Sequence, residues 1–326
     1  MSDLSARERL RRHRGLATWG ERTVPLEAFR RAAASAGREL APDERAAEVE
    51  SFLARAVDPT PVEGPFERIA VCGGVYSNRF ALEALLDAAA ARGCEAVYCL
   101  GDLGGFGPEP ELVRPLLDQG GVRVSQGNYE QSLATGALDC NCGYTDPRDN
   151  RYAALSYRYT AERSSDDFKS WMGALPPRRR VGVGGRELLL VHGSPRRVNE
   201  FLFDSATSDA CLERLLDQER ADALLCTHTG LHWRRRLPSG RDAVNVGAIG
   251  RPANDGATHV WWALVEAAPG GALAVELVPL AYDHPALARA MRSEELPEPF
   301  VETIETGWWT TCLEILPARE RGRGRF

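Results

Sequence analysis

The feature that most constrains this chain is an apolar run that stops at a carboxylate. Ala96-Val97-Tyr98-Cys99-Leu100 ends abruptly at Gly101-Asp102, and a glycine-rich loop follows to Pro108. A short β-branched and aromatic run of this kind reads as a buried strand, and open α/β sheets place their ligands at the carboxyl ends of such strands. Asp102 has no cation beside it in sequence. A carboxylate held at a buried strand end needs a metal or another partner. Three further junctions repeat the device: Ile69-Ala-Val-Cys-Gly-Gly74, Leu188-Leu-Leu-Val-His192-Gly193 and Ala223-Leu-Leu-Cys-Thr-His228.

The surrounding pattern alternates strand, loop and helix. A strand over 69–72 precedes an amphipathic helix over 80–91 with Leu82, Leu85 and Leu86 on one face, then come a strand over 96–100, a short helix over 111–117 and a strand over 122–125 ending in Gly127-Asn128-Tyr129-Glu130. This alternation indicates an α/β domain. Residues 138–150 form a polar loop carrying Cys140, Cys142, Asp146 and Asp149, and 152–172 reads as helix. Strand patterns over 180–183, 187–191, 223–226, 235–237, 243–246, 259–265 and 274–279 then imply a second sheet packed on the first. Residues 1–65 read as a helical extension: Pro42-Asp43-Glu44 starts a helix, Val49, Phe52, Leu53, Ala56 and Val57 follow at helical spacing, Asp58-Pro59 stops it, and 60–65 is a proline-rich linker. Residues 285–326 return to helix in two pieces separated by Gly307, with Trp308, Trp309, Leu313 and Ile315 as docking residues. The expected organisation is therefore 1–65, 66–284 and 285–326.

Charge narrows the partners. The 326 residues carry 40 basic and 46 acidic side chains, a net charge of -6, so no broad basic field for nucleic acid is expected. Only the tail is locally basic, at Arg319, Arg321, Arg323 and Arg325. No apolar run reaches the length of a membrane span and no signal-peptide core follows the charged 6–14 segment, which gives a cytoplasmic expectation. Eight scattered cysteines in a chain of this length read as reduced thiols. Cys72, Cys94, Cys99 and Cys226 lie in or beside apolar runs, where cysteine acts as a small hydrophobe. Cys140-Asn141-Cys142-Gly143 sits in a polar loop, and a C-x-C without a second pair is a weak zinc signal.

Taken in order, these junctions resemble those of the calcineurin-like metallophosphoesterases, especially the small bacterial and archaeal phosphodiesterase branch, over residues 67–282. That family's strand ends supply Asp-x-His, Gly-Asp, Gly-Asn-His, a lone His-Gly, and Gly-His-x-His. The matching stretches are Gly74-Val75-Tyr76, Gly101-Asp102, Gly127-Asn128-Tyr129, His192-Gly193 and Thr227-His228-Thr229-Gly230. Ser77-Asn78 fits as well, and Asn245-Val-Gly247-Ala-Ile-Gly250-Arg251-Pro252 mirrors the family's Asn-Pro-Gly-Ser-Val-Gly turn. The resemblance implies two packed mixed β-sheets flanked by helices, here with N- and C-terminal helical extensions. It also implies a site for two metal ions. The ligands of one ion are all retained as Asp102, Asn128, His192 and His228, which are also the expected catalytic residues. The remaining ligand positions of the other ion hold Gly74, Tyr76 and Gly230, and Tyr129 stands where a histidine would assist the leaving group.

An Asp-Asn-His-His set suits a divalent or ferric transition metal (Zn, Mn, Fe or Co). One ion is expected and the second is left open. Candidate replacements for the missing ligands are Cys140, Cys142, Tyr76 and His232, with Tyr129 as a further phenolate for a ferric ion. Arg196, Arg197 and Arg251 are candidate phosphate ligands as bidentate donors, and Asn78 opens a helix that could add backbone donors. Besides a subunit whose helical arms carry an interaction function, two functions stay open. One is a metal-dependent phosphoesterase-like hydrolase with a remodelled site, acting on a small phosphorylated metabolite. The other is a non-catalytic pseudophosphoesterase that binds a metal or a phosphate ligand. The helical extensions are the expected surface for self-association into a homo-oligomer.

Overall fold

The structure, a computed structural model, describes three strands within residues 11–25 and residues 60–324. The chain divides into two units, Met1–Pro61 and Val62–Phe326. In the first, β1 (Arg11–His13), β2 (Leu16–Trp19) and β3 (Arg22–Pro25) form an antiparallel meander. Strand therefore replaces helix in the described part of that segment. The helix expected over 42–57 lies outside the described residues.

The second unit opens with β4 (Val62–Phe66), a strand where a linker was expected. It pairs in parallel with a later strand, Arg178–Val183, and the register shift between Glu63 and Phe66 accommodates its Gly-Pro pair. Proline is tolerated there because β4 ends its sheet. The chain continues through β5 (Arg68–Cys72), α1 (Arg79–Ala91), β6 (Ala96–Cys99), a 3₁₀ turn (Pro110–Leu112), α2 (Val113–Gln119), β7 (Arg123–Val124) and α3 (Asn128–Thr135). The helix expected over 152–172 is two helices, α4 (Pro147–Glu162) and α5 (Asp166–Gly173). Asp146 and Ser165 cap them, accepting from the N–H of Arg148 and Phe168. Then come β8 (Arg178–Val183), β9 (Arg186–Val191), α6 (Asp209–Glu219), β10 (Ala223–Cys226), β11 (Trp233–Arg236), β12 (Asp242–Asn245), β13 (Val260–Ala268) and β14 (Ala272–Leu280). The C-terminal segment carries α7 (His284–Ser293), α8 (Glu298–Thr306) and the short α9 (Ala318–Arg321). Gly307 ends α8 in the left-handed region, and the stretch from Trp308 to Leu316 is irregular rather than helical.

Two mixed sheets result, in the orders β11-β12-β10-β9-β8-β4 and β14-β13-β5-β6-β7. Strand alternation builds three layers of core from them. Ile69 and Val71 of β5 face Leu188 and Leu190 of β9 and Leu225 of β10 in a core between the sheets. Ala70 and Cys72 face the other way, onto Leu82 and Leu85 of α1. Leu189 and Leu224 pack on Leu212, Leu215 and Leu216 of α6. Each fully buried aliphatic side chain of this kind contributes about 1.5–3 kcal/mol of transfer free energy. Strands β5, β6 and β7 are mutually parallel, as are β9, β10 and β12, so two groups of carboxyl ends deliver loops to the site.

Candidate metal centre

Asp102 follows β6, Asn128 opens α3 after β7, His192 follows β9 and His228 follows β10. Ligand atoms of Asp102, His192 and His228 lie within 4.8 Å of one another, all buried. The loops meet because glycine lets them. A Cβ on Gly101 would stand 2.3 Å from the Gly127 nitrogen, and one on Gly127 would stand 2.7 Å from the Asp102 nitrogen. Glu130 then ties the two loops together. Its carboxylate accepts from the N–H of Asp102 (2.8 Å), Leu103 (2.7 Å) and Gly127 (2.7 Å). Sequence reasoning passed over Glu130. A buried acid three residues after a glycine, in the pattern of a capping box, was the available signal. Asp102 and His228 both have positive φ, 57° and 66°, a conformation that non-glycine residues hold only when their surroundings fix it.

The two imidazoles have fixed tautomers. His192 Nδ1 is 2.7 Å from the Leu100 carbonyl, and His228 Nε2 is 3.2 Å from the Cys142 carbonyl. A carbonyl only accepts, so those nitrogens carry the protons. The opposite nitrogens, His192 Nε2 and His228 Nδ1, face each other at 3.0 Å, and Asp102 Oδ2 is 3.3 Å from the former. Lone pairs converging so closely need a cation or a shared proton between them. Burial disfavours charge on His192, but the Asp102 carboxylate outweighs it and raises its pKa. Burial, reinforced by His192, pushes His228 down to about 3. Asn128 is fully buried, its Nδ2 donates to the Cys140 carbonyl at 2.8 Å, and its Oδ1 has no hydrogen-bond partner. A buried amide oxygen without a donor is what a metal ligand looks like before the ion is counted. Two bare nitrogens, a carboxylate and that oxygen fit a transition-metal ion.

The other half of the expected site is filled by side chains. A Cβ on Gly74 would meet the Tyr76 ring at 2.4 Å, so Tyr76 occupies the space that a longer residue at 74 would need. A Cβ on Gly230 would lie 3.2 Å from the Trp309 ring and 3.4 Å from Arg251 Nη2. Burial holds the phenols of Tyr76 and Tyr129 well above their ordinary pKa, so neither offers a phenolate. Tyr129 instead bonds Ser156 Oγ at 2.9 Å and gives its backbone N–H to Asp102 Oδ1. His232 stacks on Trp261 with ring centroids 3.8 Å apart and lines a separate cavity with Asp204 and Asp255. It is not brought to the metal centre.

The Cys140–Asp149 loop does pack against this edge, but not through thiolates. Cys140 and Cys142 form a disulfide, a correction to the expectation of eight reduced thiols. Sulfurs bonded to each other lack the thiolate charge that binds metal. The loop contributes carbonyls, to Asn128 from Cys140 and to His228 from Cys142. Asp146 is the α4 cap, and Asp149 accepts from the N–H of Glu314 and Ile315. Cys72 and Cys226 are buried in apolar clusters, as their sequence setting indicated.

The phosphate candidates separate. Arg196 is half exposed and paired with Glu200, and Arg197 is exposed on the same loop. Both amide ends of Asn78 serve structure: Oδ1 caps α1 through the Ala81 N–H, and Nδ2 donates to the Ile249 carbonyl. Arg251 lines a cavity with Asp102, His228, Tyr144, Cys312 and Phe300. The C-terminal segment thus forms one wall of the centre. Trp309 anchors it, donating from Nε1 to the Pro252 carbonyl (2.7 Å) and from its backbone N–H to Asn254 (2.8 Å).

Comparison with known proteins gives a concordant result. The family model for the calcineurin-like phosphoesterase superfamily domain matches residues 68–267. The chain belongs to that superfamily. Members use divalent metals, and the Asp102, His192 and His228 cluster is where this member could hold one. A metallophosphoesterase from Sphaerobacter thermophilus aligns over 74% of this chain and 99% of its own, at 23% identity and a TM-score of 0.56. A hypothetical protein from Pyrococcus horikoshii aligns over the same shares at 24% identity and a TM-score of 0.61. At such identities the likeness concerns the fold. An uncharacterized protein of Methanocaldococcus jannaschii is 28% identical over 145 residues, 43% of this chain and 56% of that protein, so the match spans little more than half of the relative. Among the described residues no helix is long and apolar enough to cross a membrane.

Proposed function

We propose that this protein is a metal-dependent phosphoesterase acting on a small phosphorylated molecule, with one ion held by Asp102, Asn128, His192 and His228. The observation that carries the reading is the convergence of bare His192 Nε2 and His228 Nδ1 on Asp102 Oδ2, each nitrogen's tautomer fixed by a carbonyl behind it. An ion bound there supplies a Lewis acid for a phosphoryl oxygen and lowers the pKa of water toward neutral.

The chain's own residues do the rest. Leu100 and Cys142 carbonyls keep the imidazole lone pairs inward. Glu130 holds Asp102 in its left-handed conformation. Phe201, whose ring centroid lies 4.3 Å from that of His228, shields that imidazole from water. The cavity beside Asp102 and His228 is the place for the phosphoryl group. The test is hydrolysis of 4-nitrophenyl phosphate by full-length protein reconstituted with Zn, Mn, Fe or Co. Turnover should require metal, vanish with chelator and fall to background in Asp102→Asn. A metal-loaded protein that hydrolyses neither this ester nor its bis-aryl diester would favour the non-catalytic binding reading.

A further inference from the structure

Arg251 is a buried cation beside the metal centre. It is 6% exposed, its Nε has no hydrogen-bond partner, and it forms no ion pair with a described residue. Its guanidinium stacks 3.6 Å over the Trp309 ring and lies 5.6 and 5.9 Å from the rings of Phe106 and Tyr76. Cys312 is its hydrogen-bonding neighbour, and no described carboxylate lies within ion-pair distance of it. A buried charge without a counter-ion is costly, so the arrangement is complete only when an anion arrives.

Its location gives that anion a role. Arg251 shares its cavity with Asp102 and His228. It reaches toward Gly230, while Tyr76 closes over Gly74. These are positions where the sequence resemblance placed ligands of a first metal ion. On the side where those ligands are missing, the chain has installed a fixed cation of its own.

We infer that Arg251 replaces the first metal ion as the second positive contact for the substrate, and that the site selects the dianionic phosphoryl group of a small phosphomonoester. This rests on the single-ion reading above. A divalent ion and Arg251 would together bring three positive charges to the cavity and the ligand Asp102 one negative charge, which leaves two to be matched by a dianion. A diester phosphate carries only one. Guanidinium binds phosphoryl oxygens as a planar fork, which an ammonium cannot reproduce. The cavity measures about 50 Å³. At roughly 10–15 Å³ per water-sized group, it has room for a compact anionic headgroup. Phe106, Tyr144 and Phe300 wall it with aromatic surface.

The experiment is calorimetric titration of the zinc-loaded full chain with inorganic phosphate and with dimethyl phosphate, with zinc content measured in parallel. The parent should bind phosphate more tightly than the diester. Arg251→Gln should keep its zinc and lose roughly ten- to hundredfold in phosphate affinity, the effect of losing a hydrogen bond to a charged group. Arg251→Lys should recover part of the loss. Unchanged phosphate affinity in a zinc-loaded Arg251→Gln protein overturns the inference alone, as does equal affinity of the parent for both anions. A parent that takes up no zinc overturns the single-ion reading beneath it as well. If Arg251→Gln fails to fold, the parent decides by side-chain ¹⁵N spectra. Phosphate must shift the buried Arg251 Nε–H signal, identified by its absence in Arg251→Lys, and a signal indifferent to phosphate overturns the inference.

Discussion

Glu130 is the residue through which the metal centre can be loosened without touching a ligand. Its carboxylate accepts three buried backbone N–H groups, two on Oε2 (Asp102 and Gly127) and one on Oε1 (Leu103). Glu130→Ala would orphan all three, at about 1–3 kcal/mol each. That is a large part of a domain's usual stability of about 5–15 kcal/mol, so this variant is expected to fold poorly. Glu130→Gln is more informative. Its oxygen can still serve Asp102 and Gly127, but its NH₂ then meets the Leu103 N–H, donor against donor. One charge-assisted bond is lost, about 1.5–3 kcal/mol, and the two that survive become neutral and weaker. Asp102 is held at a φ of 57° by these bonds, so its carboxylate should wander. Loss of a group that orients a ligand typically lowers metal affinity about 10–100-fold. Urea unfolding of the metal-free protein and competitive zinc titration measure the two effects separately. An unfolding midpoint and zinc affinity both equal to the parent's would refute the assignment of Glu130. A stability loss with unchanged zinc affinity would show that Glu130 serves only the fold.

Three further outcomes are expected. The Cys140→Ser, Cys142→Ser double variant should keep its metal content, because the disulfide sulfurs offer no thiolate and the shortest contacts of the loop to Asn128 and His228 are through carbonyls; loss of metal, by elemental analysis, would restore a ligand role for sulfur. Glu63 is partly buried, which works to raise its pKa, but Arg179 and Arg123 outweigh burial and hold it below the ordinary glutamate range. A depressed folded-state pKa gives stability that is present above the unfolded-state pKa and is lost as pH falls through the folded one. The stability difference between parent and Glu63→Gln should therefore be full at neutral pH and shrink under acid, and a pH-independent difference in urea midpoints would contradict it. Trp309→Ala should destabilise by about 3–5 kcal/mol, as for a buried aromatic side chain, since the side chain anchors the C-terminal wall through its Nε1 hydrogen bond and the Arg251 stack, while the backbone bond to Asn254 survives in alanine; a change under about 0.5 kcal/mol in urea unfolding, the scale of an ordinary surface substitution, would refute that anchoring.

The sandwich was legible because apolar runs ending in Gly-Asp, His-Gly and Thr-His are local signals, and β5, β6, β9, β10 and β12 each end within one residue of the end of the run. What was missed depends on partners distant in sequence. The 62–66 stretch reads as linker by its proline, yet an edge strand needs no N–H on its open side, and β8 supplies the other. Helix α6 was overlooked although Leu212, Leu215 and Leu216 mark a helical face after a Ser208 cap, a signal overshadowed by the flanking strands. In the site, the dipeptides name four candidate ligands, of which Asp102, His192 and His228 come together as a buried cluster. The fate of the vacated half could not be read from them, because it is decided by the Tyr76 ring and by Trp309, which lies more than fifty residues after the last motif. Nothing local to Arg251 says that it is buried without a carboxylate.

The central claim is a single ion held by one retained ligand set. Full-length protein purified in the presence of a divalent transition metal, desalted and analysed for metal per chain, tests it most directly when run beside His192→Ala. His192 Nε2 is the atom on which the other donors converge. The account predicts one ion per chain in the parent and near none in a folded His192→Ala protein. Two ions per chain in the parent, or an unchanged ion in the variant, would contradict it.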